Sequence, residues 1–284
     1  MAVQIDLHFW LTAWNFAPSL LIGTALIIGL YLYALGPYHT RFYPAIPIKR
    51  GQTLAFIGGV LIMFLALVSP LDTLGDDYLF SAHMIQHLCL TTFAPPLLLL
   101  GLPEWMLEHL LNKRTLFLLL KGLTWAPLAF FLYNADFFLW HAPLLYNATL
   151  ENDTIHIFEH LTFIVLGILS WWPLLSPSRR LPRLSLGGQV LYIFANGMPA
   201  VLLGAGLTFS QPLYAPYLAA PRIWGISPIV DQQLGGLIMW VPVNLFYIVV
   251  MSVIFIRWMQ KQEAQQVEAE RRNDEIHNTA EILK

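Results

Sequence analysis

Charge is scarce in this sequence. Only 11% of its 284 residues are Asp, Glu, Lys or Arg, against 57% hydrophobic, whereas soluble domains carry about 25% charged residues. So few charges cannot cover a water-facing surface, and long apolar runs are expected to face lipid. Cysteine is almost missing: the single thiol, Cys89, excludes an internal disulfide and leaves the redox compartment unread. The opening stretch MAVQIDLHFWLTAWNF contains no Lys or Arg. A secretory signal needs a positive start and a small-residue cleavage site, so this stretch is expected to be mature protein. Trp10, Trp14 and Phe16 suit a segment lying at the membrane interface. There is no internal repeat, no low-complexity tract and no soluble domain. The formal net charge of −2 points to no class of partner, and no nucleic-acid partner is expected.

What is present is a set of apolar runs. A membrane-crossing helix needs roughly 20 mostly apolar residues. Such runs occur at about 17–35, 52–69, 78–100, 123–141, 154–174, 187–208 and 234–257. The expected fold is all-α, a polytopic membrane bundle of seven transmembrane helices. Asn134 and Asp136 interrupt the fourth run. Residues 114–122 are apolar as well, and either join that helix or form a separate interfacial turn. Pro95, Pro96, Pro199 and Pro242 fall inside or near spans, which membrane helices tolerate when neighbours satisfy the freed carbonyls. After Trp258 the chain turns strongly polar, reading as an exposed helix or a disordered extension. The expected organisation is an outer interfacial segment over 1–16, a membrane domain over 17–258 and a cytoplasmic polar tail over 259–284.

Alternate connections differ in charge. One set holds Arg41, Lys49 and Arg50, then Lys113, Arg114 and Lys121, then Arg179, Arg180 and Arg183, and the tail adds Arg257, Lys261, Arg271, Arg272 and Lys284. Every basic residue except Arg222 falls in it. The opposite set carries Asp6, Asp72, Asp76, Asp77, Glu151, Asp153 and Asp231. Short loops rich in Lys and Arg stay in the cytoplasm. This predicts an N-terminus outside, a C-terminus in the cytoplasm and an odd number of crossings.

The histidines gather at one face. In SAHMIQHLCL, His83 and His87 are four apart and share a helix face. In TIHIFEHLTF, His156 and His160 have the same spacing. Both pairs lie roughly one to three turns below the outer surface, and His141 ends the fourth span on the same side. A lone intramembrane histidine often serves only as a helix–helix hydrogen-bonding group. Two pairs and a fifth imidazole at one depth point instead to metal or haem. Glu159 shares the face of His156 and His160 and is expected to ligate or to orient a ligand. Asp231 enters the seventh span from outside, as a ligand, a ligand-orienting group or a helix N-terminal residue. Met198 and Met239 lie about two turns below the outer ends of their spans. Their thioethers could form a delivery path favouring Cu(I) over Cu(II), or simply pack. Cys89 and Met84 are turned away from the histidine face and read as packing. No partner is evident for Asp136. His8, His39, His109 and His277 read as surface residues.

Several strings in order carry a family resemblance: HMIQHLCL with the following APPLLLLGLP, WHAPLLYNATL, HIFEHLTFIVLGILSWWPLL and DQQLGGLIMW, over about residues 70–245. Together they resemble the CtaG family of polytopic cytochrome c oxidase assembly factors. The resemblance implies a role in oxidase maturation, in forming the copper site beside the high-spin haem. It implies a bacterial inner (cytoplasmic) membrane, a copper donor protein and the oxidase catalytic subunit as partners. It makes His83, His87, His156 and His160 the first candidates for copper contact, with His141 next. The expected function is a non-enzymatic metallochaperone. The alternatives are a membrane metalloenzyme using zinc or iron with Glu159 as base, a copper transporter, and a bis-histidine haem protein. The match of HIFEH to the zinc-peptidase pattern H-x-x-E-H is a weak signal by itself. The transporter reading is opposed by inner halves that look mostly apolar.

Overall fold

A backbone surrounded by lipid must pair its own N–H and C=O groups, and the helix does so locally. The computed structural model describes residues 5–282, with side chains through 276, and among them the chain is helical without a β-strand. The remainder of the outer segment (residues 1–4), Lys284 and the side chain of His277 lie outside the described residues.

Helix α1 (Leu7–Thr12) is capped by Asp6, which accepts from Phe9 N at 3.0 Å, and it buries none of its residues. Helix α2 (Pro18–Tyr33) passes through a wider π turn (Ala34–Tyr38) into α3 (His39–Phe42). This first apolar helix thus runs seven residues beyond the end of the expected span at 35. Helix α4 (Arg50–Val68) leads to the short α5 (Pro70–Asp77), started by Pro70 and by Ser69, whose Oγ accepts from Leu71 N. Helix α6 (Phe80–Leu88), a π turn (Cys89–Phe93) and α7 (Ala94–Gly101) form one continuous span. Then come α8 (Glu104–Leu111), α9 (Arg114–Leu123), α10 (Ala126–Trp140), α11 (Pro143–Glu151), α12 (Asp153–Leu175), α13 (Leu186–Phe209), α14 (Ala215–Ala219) and α15 (Pro228–Ile282).

Six helical runs among the described residues are long and apolar enough to cross a membrane. The pair α9–α10, bent by 67°, makes a seventh if counted as one broken span. Residues 114–122 therefore belong to a separate helix, not to a straight extension of α10. Helix α15 starts six residues before the expected 234 and continues without a break to Ile282, its polar part being exposed through residue 276.

Burial is inverted relative to a water-soluble protein. Leu21, Ile22, Leu26, Leu30, Leu54, Leu191 and Leu202 face outward, while Asp72, His83, Gln86 and Glu159 are inside. An apolar exterior of this kind is the surface that lipid solvates without cost.

The basic connections meet at one end. Arg179 pairs with Glu104, the Arg180 guanidinium donates to Asn112 at 3.1 Å, and Trp258 of α15 lies over Gly187. The acidic connections meet at the other. Asp76 approaches His156, Asp231 caps α6, Asn15 donates to Asp72, and the Tyr217 hydroxyl donates to Gly75 O. His39, expected at the surface, is buried: its Nε2 lies 2.7 Å from Ile46 O and its ring packs on Trp105. An imidazole donor there pairs a carbonyl in the tight bend between α3 and α4.

Candidate metal centre

Three helix ends build the histidine cluster. The start of α6 is held by Asp231, from the first turn of α15. Its carboxylate accepts from Phe80 N at 2.7 Å, Ser81 N at 3.0 Å and Ser81 Oγ at 2.6 Å. This pairs amide groups left over at a helix start. Gly75 lets α5 press on α6, since a Cβ there would sit 3.0 Å from His83 Cα. Asn152 caps α12, accepting from Thr154 N at 2.9 Å and Ile155 N at 3.2 Å, and so orients the turns that carry His156, Glu159 and His160. His141 closes α10.

The five imidazoles do converge. Ring centroids are 4.2 Å apart for His83 and His87, 5.3 Å for His83 and His156, and 4.2 Å for His156 and His160. They are 5.6 Å apart for His87 and His160 and 5.9 Å for His87 and His141. One donor atom from each of His83, His156, Glu159 and His160 lies within 4.8 Å of the others. Glu159 is fully buried, with Oε1 3.7 Å from His87 Nε2. His141 Nδ1 lies 2.7 Å from the carbonyl of Phe137. A carbonyl only accepts, so Nδ1 carries the proton and Nε2 presents its lone pair to the cluster.

Asp76 joins the site although sequence reading did not select it as a site residue. Its two oxygens lie 3.2 Å from His83 Nδ1 and 3.6 Å from His156 Nδ1. They are close enough for ion pairs, although neither contact is aligned as a hydrogen bond. A carboxylate against Nδ1 leaves Nε2 for an ion, as in carboxylate–histidine–metal arrangements. Burial pushes the Asp76 carboxyl up to about 6, against the pull of His156. Beside it, burial raises Asp72 to about 7, with Asp76 adding to the rise. The Asp72 carboxylate accepts from Asn15 at 2.8 Å and from Gln86 at 2.6 Å.

The donor atoms share one property. Both ring nitrogens of His83 and His87, Nε2 of His141, His156 and His160, and both oxygens of Glu159 are buried without a hydrogen-bond partner. Buried polar atoms are nearly always paired, and leaving one unpaired costs about 1–3 kcal/mol. A set of them pointing at one another is what a cation-binding site looks like. Imidazole with carboxylate fits copper, zinc or iron.

The remaining candidates lie elsewhere. Asp231 acts as a cap beneath α6. Met239 is packed with Phe80, Met84 and Tyr146, and Met198 is half exposed on α13. Cys89 packs against the α4–α7 core, and Met84 is buried in the Phe80 cluster, both as expected. Asp136 does have a partner: Trp140 Nε1 donates to it at 2.9 Å. Below the cluster a cavity of about 20 Å³ is lined by Thr91, Thr92, Asn134 and Asn196 among mostly apolar and aromatic side chains, including Leu88, Phe137, Val243 and Tyr247. Asn134 donates to Asn196 there at 3.2 Å. The space suits about one water, too little for an ion path.

The model of the cytochrome c oxidase caa3 assembly factor family (Caa3_CtaG) matches residues 29–261. An uncharacterized protein of Mycobacterium bovis is 27% identical over 277 residues, covering 88% of this chain and 40% of its own length. An uncharacterized protein of Mycobacterium leprae is 25% identical over 291 residues, covering 94% of this chain and 42% of its own. The chain thus spans about two fifths of the length of these relatives. No solved structure matches.

Proposed function

This chain belongs to the cytochrome c oxidase caa3 assembly factor family, and from that premise we propose that it is a non-enzymatic copper carrier for the oxidase. Copper is held by His83, His87, His141, His156 and His160 with Glu159. It is received from a copper donor protein and passed to the catalytic subunit. The protein sits in the bacterial inner membrane with its N-terminus outside and its C-terminus in the cytoplasm.

One observation carries this reading: the converging, buried and unpartnered imidazole and carboxylate atoms at the acidic end of the bundle. The chain's residues do three things there. The Phe137 carbonyl sets the tautomer of His141, and Asp76 lies against Nδ1 of His83 and His156, the side away from Nε2. Glu159 supplies negative charge where lipid and protein would otherwise disfavour a bare cation. The apolar outer surfaces of the helices allow approach by another membrane protein in the plane of the bilayer. The copper is Cu(I), which imidazoles hold at low coordination number. Met198 and Met239 enter this reading only as a delivery path to the site, favouring Cu(I), and not as part of the donor group.

Protein purified without oxygen is expected to retain copper with a Cu(I) absorption edge, and the His83→Ala/His87→Ala variant to lose it. Cells carrying that variant should assemble oxidase depleted in copper. Copper-free wild-type protein, together with full oxidase copper in the variant, would overturn the proposal. The position of Glu159 also suits a general base acting on metal-bound water. Under that second reading Glu159→Gln abolishes a hydrolytic turnover and keeps its metal.

A further inference from the structure

We infer that the cluster is a two-ion site, with Glu159 as the carboxylate shared between an outer and an inner position. The inference rests on the copper-binding reading and adds a stoichiometry and a division of labour among the residues.

The geometry divides the donors. His83, His156, Glu159 and His160 form one tight group, each offering an atom within 4.8 Å of the rest. Four donors complete the coordination of an ion with tetrahedral preference, and Cu(I) needs no more. His87 and His141 stand outside that group. Yet both ring nitrogens of His87 and the Nε2 of His141 are buried without partners. A single ion in the tight group leaves those atoms unpaired, each at the usual cost of an orphaned buried polar atom. They face one another across 5.9 Å between ring centroids, and His87 Nε2 lies 3.7 Å from Glu159 Oε1. His87, His141 and Glu159 therefore offer donors for a second ion.

Glu159 is placed to serve both. It is fully buried and neither oxygen has a hydrogen-bond partner, so each oxygen is available to a different ion. Depth orders the two positions. Going inward from the acidic end, His83 precedes His87 by one turn on α6, and His156 precedes His160 by one turn on α12. The outer position is set by His83 and His156, which share Asp76. The inner one is set by His87 and His141.

The test uses the full chain in lipid nanodiscs, loaded anaerobically with Cu(I) alone. Copper per chain is measured by mass spectrometry and copper–copper scattering by X-ray absorption. Wild type is expected to hold two ions with a copper–copper scattering shell. His141→Gln is expected to hold one ion and lose that shell, and His156→Gln likewise. Glu159→Gln should weaken both ions by about tenfold or more. Helicity and elution volume check folding, and His87→Gln replaces His141→Gln if the latter does not fold. One copper per chain, unchanged by His141→Gln or His87→Gln, would overturn the two-ion site while leaving the copper-binding reading in place. No copper in folded wild type would overturn both.

Discussion

Asp72 and Asp76 occupy successive turns of α5 and face α6, where they meet Gln86 and His83. Burial raises both carboxyl groups, Asp72 to about 7 and Asp76 to about 6. A carboxyl whose pKa is higher in the folded state binds its proton more tightly there than when unfolded. Its contribution to stability is complete below the unfolded value of 3.8 and is lost as pH rises through about 7. In the metal-free protein the contribution of these two carboxyls is therefore expected to fall between about pH 4 and pH 7, read as the difference in melting temperature between wild type and Asp72→Asn. Asp72→Asn should flatten that decline while leaving a smaller slope from Asp76. Melting curves of the nanodisc protein across this range check it, and a slope unchanged by Asp72→Asn would refute it. The same residues show where sequence reading reaches its limit. Histidines four apart announce a shared face from spacing alone, and four of the site's donors were legible for that reason, His141 being added by its place at the end of a span. Asp76 lies in a short connection with no apolar period, and its contact with His156 spans eighty positions of chain. The one local signal was an Asp pair four apart in PLDTLGDD, which places both on one face of a short helix.

At the scale of elements, hydropathy located the six long apolar helices and the bent pair α9–α10 because lipid leaves helix as the only economical backbone, but it could not place bends. The α9–α10 break falls where Pro127 cannot donate to Leu123, yet Pro173, Pro199 and Pro242 sit inside unbroken helices. Proline alone did not say which helix would bend, since the answer depends on what neighbours supply to the freed carbonyls. Close packing is equally hidden in the sequence. Helices α13 and α15 touch backbone to backbone at Gly204 and Gly236. A Cβ on Gly236 would fall 2.7 Å from Gly204 O and 2.8 Å from Thr208 N. Backbone cannot step aside as a flexible side chain can. Gly236→Ala is therefore expected to destabilise the bundle by roughly 1–3 kcal/mol. It should also lower copper retention, because the first turn of α15 carries the Asp231 cap that positions α6. Gly206, where a Cβ meets nothing within 4 Å, is the control. Gly206→Ala should match wild type in both melting temperature and metal content, and equal behaviour of the two variants would count against the packing argument.

Across the whole molecule, the two ends differ in charge and in chemistry. The connections bearing Lys49, Arg179, Arg180 and Arg183 gather at one end with the Lys113 turn and Trp258. The histidine cluster lies at the opposite end with Asp72, Asp76 and Asp231. Retention of Lys and Arg in the cytoplasm predicts that the cluster faces outward. This orientation is testable because Cys89, the lone thiol, can be replaced to give a cysteine-free background. Glu151 and Lys113 are exposed at opposite ends. On intact cells, a membrane-impermeant maleimide is expected to label Glu151→Cys and to spare Lys113→Cys, while broken membranes label both. The reverse pattern would turn the cluster toward the cytoplasm and force copper to arrive from inside. With the expected pattern, the exposed rim of the site, Asp76 beside His156, meets the outer aqueous phase first. On the proposed carrier reading, copper then enters past that carboxylate and needs no passage through the bilayer. That agrees with the single-water cavity beneath the histidines, and with a carrier that exchanges its cargo at one face of the membrane.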